Sequence, residues 1–330
     1  MAEESNIWYA LCHGAMRIGR DRPGLRDAGR GSLPRPMPVV SVIVPTCDRP
    51  ELVGRALQSA LAQTRTDLEV VLVDNNRRTT PVRQNPRLAR MLEDPRVVLV
   101  SGGLASNAAA ARNAGLAVAH GEWITYLDDD DEYHPEKIAA QFDLAQATGA
   151  PLVLCGYTVV LPCRQRMRQV DAAEFRGDEL LLSVSWNTSL LFHRRDSLVR
   201  FDENLTAGED TFFAQTIVLN HGMKSVPNCA RSLVNIYPQL DAPRVHRDGE
   251  AIWRSFEATA AMVGTRYSPA AVQGYLAMGR LFRAQFGHGN FAHFMGCAWA
   301  ALRARGPGAW RLVVNATARR TGLFKRWVVS

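Results

Sequence analysis

Four consecutive aspartates, Asp128–Asp131, are the group in this sequence best suited to chemistry, and they directly follow the apolar run EWITYL. Two carboxylates about 4–5 Å apart repel by roughly 3–4 kcal/mol at an effective dielectric constant of about 20, and a divalent cation between them removes that cost. Carboxylates are also the hard oxygen ligands that Mg²⁺ and Mn²⁺ prefer. The run therefore indicates a metal site. The alternative is a solvated acidic turn that caps the next helix.

Polar residues also follow two other apolar runs. VVSVIVP ends at Pro45 and is followed by Thr46, Cys47 and Asp48, and LEVVLVD ends at Asp74. Open α/β sheets bind ligands at the carboxyl ends of their strands, so we expect these side chains to lie near the four aspartates. A carboxylate there suits the donor groups of a nucleotide base or ribose. For Asp74 a role as a helix cap or turn residue is the alternative.

Two further groups carry charge in helical segments. Arg112 lies in an alanine-rich segment, where it is either a surface residue or a cation that faces the acidic edge. Glu209 and Asp210 follow Gly208 at a predicted helix start. Acids in a first helical turn are stabilised by the helix dipole, which is the structural explanation for them. The functional explanation is a general base, which needs a carboxylate close to the hydroxyl of a second substrate.

Alternating apolar runs and helical segments must position these groups. The short apolar runs predict strands at 39–45, 68–74, 96–101, 122–128, 152–160 and 183–192. The helical patterns predict helices at 107–120, 134–149, 251–264, 270–286, 290–304 and 308–322. Asp48 is also predicted to cap a helix after the first strand, with Glu51 at the capping-box position. The alternation predicts an α/β fold with a mostly parallel, Rossmann-like sheet flanked by helices, and a helical C-terminal extension.

The distribution of charge divides the 330-residue chain, of net charge +7, into three parts. Residues 1–38 are rich in Arg, Gly and Pro and predict a partly disordered arm or linker. Residues 39–242 hold 20 basic and 25 acidic residues, whereas residues 243–330 hold 13 basic and 3 acidic residues. An acidic body with a basic end argues against a nucleic-acid-binding protein, which carries its positive charge on the folded face.

The apolar stretches and the cysteines indicate the cellular compartment of the protein. No stretch reaches the roughly 18 uninterrupted apolar residues of a membrane-spanning helix, and the first residues lack the pattern of a secretory signal. The six cysteines are scattered without a C-x-x-C pair, which is typical of free thiols in a reducing compartment. We therefore expect a cytoplasmic protein, with peripheral contact at the inner face of the membrane as a further hypothesis.

Three segments, in this order, resemble family 2 glycosyltransferases of the GT-A fold. They are SVIVPTCDRPELVGRALQSALAQT with LEVVLVDN, then NAAAARNAGLAVAHGEWITYLDDDDEYHPEKI, then FDENLTAGEDTFFAQTIVLNHG. The resemblance covers residues 39–240 and implies a GT-A catalytic domain at 39–242. It implies an inverting transfer of sugar from a nucleotide-diphosphate donor, UDP- or dTDP-linked, with Mn²⁺ or Mg²⁺. The acceptor is then the hydroxyl of a small molecule or of a lipid-linked glycan. The Q-x-x-R-W signature of processive members is missing, so a single sugar is transferred.

The resemblance also implies roles for the residues named above. Contacts with the nucleotide sugar map to Pro45, Thr46, Asp48, Arg49, Asp74, Arg112, Asp128 and Asp129, with Asp74 against the base. The metal maps to Asp128 and Asp130, and the base that deprotonates the acceptor maps to Asp210, beside Glu209. One departure is Asn75-Asn76-Arg77, where the family often has Asp-Gly-Ser. For a further metal or phosphate ligand, His246 and Arg244 are weak candidates.

Two other functions stay open. A catalytically inactive sugar-nucleotide-binding or regulatory protein would have no use for Asp210. A nucleotidyltransferase would need a glycine-rich loop with Arg and Lys after the first strand, and TCDRPEL matches that pattern poorly.

The end of the chain carries a separate hypothesis. Residues 307–330 interleave Trp310, Phe324 and Trp327 with arginines and a lysine. A basic amphipathic end of this kind predicts contact with an anionic membrane and delivery of the enzyme to a lipid-linked acceptor. The alternative is a packed helical subdomain with solvated cations.

Overall fold

The computed structural model describes residues 37–79, 81–101, 105–161, 166–169, 173–184, 186–238 and 248–286. Its first four strands run parallel in the order β3-β2-β1-β4 and are β1 (Val40–Thr46), β2 (Leu68–Asp74), β3 (Val97–Ser101) and β4 (Trp123–Tyr126). Thr46 lies opposite Asp74, and Asp74 lies opposite Ser101, so the carboxyl ends of three neighbouring strands are level. β1 and β2 are almost entirely buried, which explains their uninterrupted apolar sequences.

Six more strands extend the sheet. They are β5 (Glu132–Tyr133), β6 (Leu152–Val160), β7 (Arg166–Gln169), β8 (Glu174–Arg176), β9 (Phe192–Arg194) and β10 (Ser225–Ile236). The order continues from β4 through β9, β6 and β10 to β5, with β7 beside β6 and β8 beside β10. β6 and β10 are parallel, and the remaining pairs in this half are antiparallel. The sheet is therefore parallel from β3 to β4, which leads into the acidic loop (Asp128–Asp131), and mixed beyond β4.

Helices cover both faces of the sheet. They are α1 (Val53–Leu61), α2 (Ala89–Leu92), α3 (Ala108–Val118), α4 (Lys137–Thr148), α5 (Glu179–Leu182), α6 (Glu209–Asn220), α7 (Gly249–Val263) and α8 (Pro269–Phe286). α1 and α4 contribute to the apolar core on one face. α3, α6, α7 and α8 contribute to the core on the other face. The predicted α/β class, with helices on either side of a sheet, is confirmed.

Gly115 lets α3 lie close to the sheet. A Cβ atom at this position would stand 2.5 Å from Cγ2 of Ile43, closer than real Cβ atoms approach, and 3.2 Å from Cγ2 of Val73. The absence of a side chain therefore brings α3 against β1 and β2. Since Arg112 lies about one helical turn before Gly115, this close approach also fixes where Arg112 projects.

Two local predictions are wrong. The predicted strand 183–192 is instead a 3₁₀ helix, Thr188–Leu190, followed by the short strand β9. The side chain of Asn187 accepts a hydrogen bond from the Ser189 N–H and so initiates a turn where the β-branched pattern indicates a strand. Asp48 does not cap α1, because that helix begins at Val53 without a side-chain cap and Asp48 binds another loop.

The predicted helices at 251–264 and 270–286 are confirmed as α7 and α8. Val263 of α7, Tyr275 of α8 and Tyr267 between the two helices belong to the same apolar core as β1 and α6. Residues 1–36 and 287–330 lie outside the described residues, and with them the predicted arm, two predicted helices and the basic segment 307–330. Among the helices that the structure describes, none has the length and apolarity to cross a membrane.

Candidate active site

Asp129 connects the acidic loop to the end of β1 by a side-chain hydrogen bond. Its side chain is fully buried, and its Oδ2 accepts a 2.8 Å hydrogen bond from Oγ1 of Thr46. Nη2 of Arg49 lies 2.5 Å from its Oδ1. Burial raises the pKa of Asp129 to about 7, against the opposing effect of Arg49. The predicted nucleotide-sugar residues Thr46, Arg49 and Asp129 therefore form one contact group at the carboxyl edge of the sheet.

The other three aspartates of the run gather on one side of the loop. Asp128, Asp130 and Asp131 each offer a carboxylate oxygen, and these oxygens lie within 4.8 Å of one another. Burial, together with the charge of the neighbouring carboxylates, raises the pKa of Asp130 and of Asp131. Three hard oxygen donors held close together against their repulsion fit a divalent cation. Asp131 is a member of this cluster that the sequence analysis did not single out.

Hydroxyl groups from the 3₁₀ helix Thr188–Leu190 orient this cluster. Thr188 Oγ1 donates to Asp128 Oδ1 at 3.2 Å, and Ser189 Oγ donates to Asp131 Oδ2 at 2.8 Å. Both residues are buried. Sequence reasoning missed them because the segment was predicted to be a strand, and a run such as Asn-Thr-Ser carries no catalytic signature of its own.

Arg49 and Arg55 supply positive charge beside Asp130. Arg49 Nη1 donates to Oδ2 of Asp130 at 3.0 Å, and Arg55 Nη2 donates to its backbone oxygen at 2.5 Å. The guanidinium of Arg55 also lies 3.7 Å from the ring centroid of Tyr237. Arg49 is 40% exposed at its side chain, so its head group can reach an anionic ligand at this edge.

Asp48 and Asp74 shape the loop that leaves β2. Asp48, with a backbone φ of 55°, accepts the N–H groups of Arg77, Arg78 and Thr79 through Oδ1. These bonds, above all that from Arg78, lower the pKa of Asp48 to about 2. Asp74 accepts the N–H of Asn76 on Oδ1 and that of Val82 on Oδ2. Contact of Asp48 and Asp74 with a nucleotide stays a prediction, and each already has a structural partner.

Asn75, the next residue after β2, was not singled out as a binding residue. It is 5% exposed, its backbone N–H donates to the oxygen of Thr46, and its Nδ2 donates to the backbone oxygen of Ala105. Its Oδ1 is buried and accepts no hydrogen bond from the described residues. A buried acceptor without a donor is costly, so this oxygen is suited to receive an N–H from a ligand.

Arg112 connects the acidic loop to the start of α6. Its Nη2 donates to Asp128 Oδ1 at 2.7 Å, and its Nη1 donates to Glu209 Oε1 at 3.1 Å. The guanidinium is buried, and the two carboxylates raise its pKa further above the ordinary value against the effect of burial. Arg112 therefore faces the acidic edge and is not a surface residue.

Asp210 lies beside this bridge, and the pKa of its carboxyl group is raised. Burial and the charge of Glu209 raise the pKa of Asp210 to about 7, while the Thr211 N–H donates to its Oδ1 and the Arg112 charge opposes the rise. Gly208 is the N-cap of α6, and its φ of 72° favours glycine. A Cβ on Gly208 would stand 2.6 Å from Oγ of Ser255, so α7 packs tightly against this turn.

The structure brings most of the predicted residues to one edge of the sheet. Contacts link Thr46 and Arg49 to Asp129 and Asp130, and Arg112 links Asp128 to Glu209 beside Asp210. Pro45 lies in β1 opposite Val73. His246 and Arg244 lie outside the described residues.

Comparisons with known proteins identify related sequences. The sequence profile described as Glycosyl transferase family 2 matches residues 41–208, which are 168 of the 330 residues. The succinoglycan biosynthesis protein ExoO of Rhizobium meliloti is 30% identical over 191 residues, 53% of this chain and 54% of ExoO. WfaP of Escherichia coli, a UDP-Glc:α-D-GlcNAc-diphosphoundecaprenol β-1,3-glucosyltransferase, is 28% identical over 105 residues, 32% of this chain and 40% of WfaP. The chain thus matches about half or less of these relatives.

Solved structures share the fold at low sequence identity. Residues 1–349 of Staphylococcus aureus TarS in complex with UDP-GlcNAc superpose with a TM-score of 0.58 and 16% identity, covering 85% of this chain and 88% of that one. The mannosyltransferase PcManGT of Pyrobaculum calidifontis, in complex with GDP-Man and Mn²⁺, superposes with a TM-score of 0.51 and 21% identity, covering 90% and 84%. These similarities establish a GT-A fold. With the family match over more than half of its length, the chain belongs to glycosyltransferase family 2.

Proposed function

We propose that this protein is an inverting, non-processive glycosyltransferase that moves one sugar from a UDP- or dTDP-sugar to an acceptor hydroxyl. The observation that carries the proposal is the buried Arg112, which contacts Asp128 of the acidic loop and Glu209 at the start of α6. Arg112 thus connects the acidic loop, which suits the donor diphosphate, to the start of α6, where Asp210 suits the acceptor hydroxyl. A protein that only bound nucleotide sugars would not need Asp210.

The donor site in this proposal lies at the carboxyl ends of β1 and β2. Asn75 Oδ1 accepts an N–H of the base, and Arg49 approaches the diphosphate. Two observations support this assignment: the acceptor oxygen of Asn75 is buried without a donor, and the Arg49 side chain is partly exposed at the same edge. Asp48 and Asp74 support the donor site by holding the loop after β2.

A divalent ion, Mn²⁺ or Mg²⁺, would be held by Asp128, Asp130 and Asp131. This extends the sequence prediction of Asp128 and Asp130 by one ligand, and the 4.8 Å clustering of the three carboxylates supports it. When bound, the ion supplies positive charge that stabilises the diphosphate as it leaves. Thr188 and Ser189 orient the carboxylates, and Arg112 limits their mutual repulsion.

Asp210 takes the proton from the acceptor hydroxyl. A general base works best when its pKa lies near the working pH, and the pKa of Asp210 is raised to about 7. The attacking oxygen forms its bond to the anomeric carbon as the bond to the diphosphate breaks, on the opposite side of the sugar. Inversion of the anomeric centre follows from this single displacement. Glu209 holds Arg112 and is not the base in this proposal.

The acceptor is proposed to be a lipid-linked glycan, as in the reaction named for WfaP. The basic segment 307–330 would then bring the enzyme to an anionic membrane. Flotation with liposomes containing anionic phospholipid tests this step. We expect binding by the full chain and its loss in a chain that ends at residue 306; equal binding by both would refute the role of this segment.

The experiment that tests the proposed function is product analysis with a panel of UDP-, dTDP- and GDP-sugars in the presence of Mn²⁺. We expect a nucleoside diphosphate and a glycosylated acceptor of inverted anomeric configuration, read by NMR. Pyrophosphate as product would instead identify a nucleotidyltransferase. Binding of a nucleotide sugar without turnover for any acceptor tested would favour a binding protein.

A further inference from the structure

Lys137 is a buried cation that the proposed chemistry does not use. Its side chain is fully buried near the start of α4, between β4, β5 and β6. Its Nζ donates to Thr125 Oγ1 at 2.8 Å and lies 4.0 Å from the ring centroid of Tyr133. Among the described residues, no carboxylate forms an ion pair with it, and burial lowers its pKa to about 8. A buried ammonium without a counter-ion is costly, so its presence calls for a reason.

The contacts of Lys137 converge on the strand that leads into the acidic loop. Thr125, in β4, also donates from Oγ1 to the backbone oxygen of Leu191 at 2.7 Å. Tyr133, in β5, donates from its hydroxyl to the backbone oxygen of Tyr126. Thr125, Tyr133 and the Lys137 ammonium thus form one polar cluster. The segment 127–132, which holds the aspartates, begins and ends at this cluster.

The same cluster holds the segment that orients the aspartates. Leu191 follows the 3₁₀ helix whose Thr188 and Ser189 donate to Asp128 and Asp131. One turn along α4, Gln141 Nε2 donates to the backbone oxygen of Leu190 at 2.9 Å. α4 therefore contacts the strand that leads into the acidic loop, through Lys137, and the turn at 188–191, through Gln141.

We propose that Lys137 is a positioning residue for the cation-binding aspartates, acting through Thr125 on residues 127–132 and on the turn at 188–191. This inference rests on the proposed function of Asp128, Asp130 and Asp131. Lys137 touches neither these residues nor any proposed substrate group. It fixes the distance between the two segments that supply the carboxylates and their hydroxyl partners.

Replacement by methionine separates this role from a purely structural one. Met has nearly the length of Lys and carries no charge, and exchanging buried charged groups for apolar groups of similar volume is often neutral or stabilising. We therefore expect Lys137→Met to keep or raise the melting temperature. Affinity for Mn²⁺ and UDP, measured by isothermal titration, should fall by about 10- to 100-fold, the usual effect of losing a group behind a metal site.

Thr125 provides the double-mutant test. Thr125→Val keeps the side-chain shape but removes the hydroxyl, and should lower Mn²⁺–UDP affinity as Lys137→Met does. Thr125→Ser keeps the hydroxyl and should bind like the wild type. Because both residues act through one contact, Lys137→Met with Thr125→Val should bind no more weakly than the weaker single variant. If the fold-loss of Mn²⁺–UDP affinity in the double variant equals the product of the two single losses, the proposal is wrong.

Glu69→Gln is the matched stability control. Glu69 is a buried charged residue near the amino end of β2, where it accepts hydrogen bonds from Ser41 and His120. Its variant should lower the melting temperature and leave Mn²⁺–UDP affinity unchanged. If Glu69→Gln lowers Mn²⁺–UDP affinity as much as Lys137→Met does, or if Lys137→Met binds like the wild type, Lys137 has no positioning role.

Amide hydrogen exchange tests the role of Lys137 without depending on the proposed function. Lys137→Met should speed amide exchange in 127–133 and 188–191 and leave β1–β3 unchanged. Unchanged exchange in those two segments would refute the positioning role. If wild-type protein binds neither Mn²⁺ nor any nucleotide sugar, the proposed function is wrong, while the exchange measurement still decides whether Lys137 holds the two segments together.

Discussion

At the scale of single residues, Asp210 has the most direct consequence for catalysis. If it is the general base, Asp210→Asn removes the proton acceptor and should lower kcat by about 10²- to 10⁴-fold. The KM for the donor should change little, because the donor binds at the other side of the site. Initial rates at saturating donor and Mn²⁺ measure this. The exposed Asp143→Asn on α4 is the matched control and should retain wild-type kcat; an equal kcat for Asp210→Asn would remove Asp210 from the mechanism.

The raised pKa of Asp210 makes activity depend on pH. The base acts as a carboxylate, so activity is present above its pKa of about 7 and is lost as the pH falls through that value. We expect log kcat/KM to rise with a slope of about one below pH 7 and to level off above it. The residual activity of Asp210→Asn should lack this step. A wild-type profile that stays flat between pH 5.5 and 8.5 would contradict the assignment.

Asn75 tests the donor site. Asn75→Leu removes the unpartnered Oδ1 and should weaken UDP binding by about 0.5–1.5 kcal/mol, the net value of a neutral hydrogen bond. Asn75→Asp keeps an acceptor at the same place and should bind UDP more tightly than Asn75→Leu. Titration calorimetry at fixed Mn²⁺ compares them. Identical affinities in all three proteins would show that the base lies elsewhere.

Site residues can be predicted from the sequence where several charged residues stand together. They are poorly predictable where burial and side-chain direction determine the role of a residue. A run of four aspartates after an apolar strand indicates a metal site by residue type and position alone. Which of the four face inward depends on side-chain direction, so the place of Asp131 in the cluster and the full burial of Asp129 emerge only from the fold. Asn75 and Ser189 are common residue types, and only burial and contacts identify them.

At the scale of elements, the approach of α3 to β1 positions Arg112. Gly115→Ala places a Cβ 2.5 Å from Ile43 and should cost about 1–3 kcal/mol of stability through overpacking. Because the helix must shift to relieve this contact, we also expect weaker bridging by Arg112 and a lower kcat. Chemical denaturation and initial rates measure the two effects.

Gly54→Ala in α1 is the control for that change. Its Cβ would meet Leu88 at 3.5 Å, an ordinary contact, and alanine favours a helix by up to about 1 kcal/mol over glycine. This variant should be as stable as the wild type or more so, with unchanged kcat. A Gly115→Ala protein that behaves in the same way would mean that α3 does not depend on this close approach.

Elements were predictable where pattern and length agree. β1 and β2 match uninterrupted apolar runs and lie within a residue of the predicted ends, and α6 begins where acids after Gly208 predict a helix start. The segment 183–192 was mistaken for a strand because local hydrogen bonding by Asn187 overrides its apolar pattern. The mixed half of the sheet pairs strands distant in sequence, such as β4 with β9 and β5 with β10, and local patterns do not encode such pairings.

At the scale of the whole molecule, donor and cation should stabilise the fold together. Three carboxylates in one cluster repel until a cation binds, and the diphosphate completes the site. A ligand at about 100 times its dissociation constant adds roughly 2.7 kcal/mol to the free energy of unfolding. We expect a clear rise in melting temperature with UDP and Mn²⁺ together, and a smaller one with either alone. Equal shifts for UDP with Mn²⁺ and with EDTA would contradict metal-dependent binding.

The central claim is that the acidic loop, the ends of β1 and β2 and the start of α6 form one site for a cation and a nucleotide. Crystals grown with Mn²⁺ and UDP, with data collected at the manganese absorption edge, test it most directly. We predict an anomalous peak among the carboxylates of Asp128, Asp130 and Asp131, with the base of UDP at Asn75 and its diphosphate between that peak and Arg49. UDP bound at another surface, or bound here without a manganese peak between those aspartates, would contradict the account.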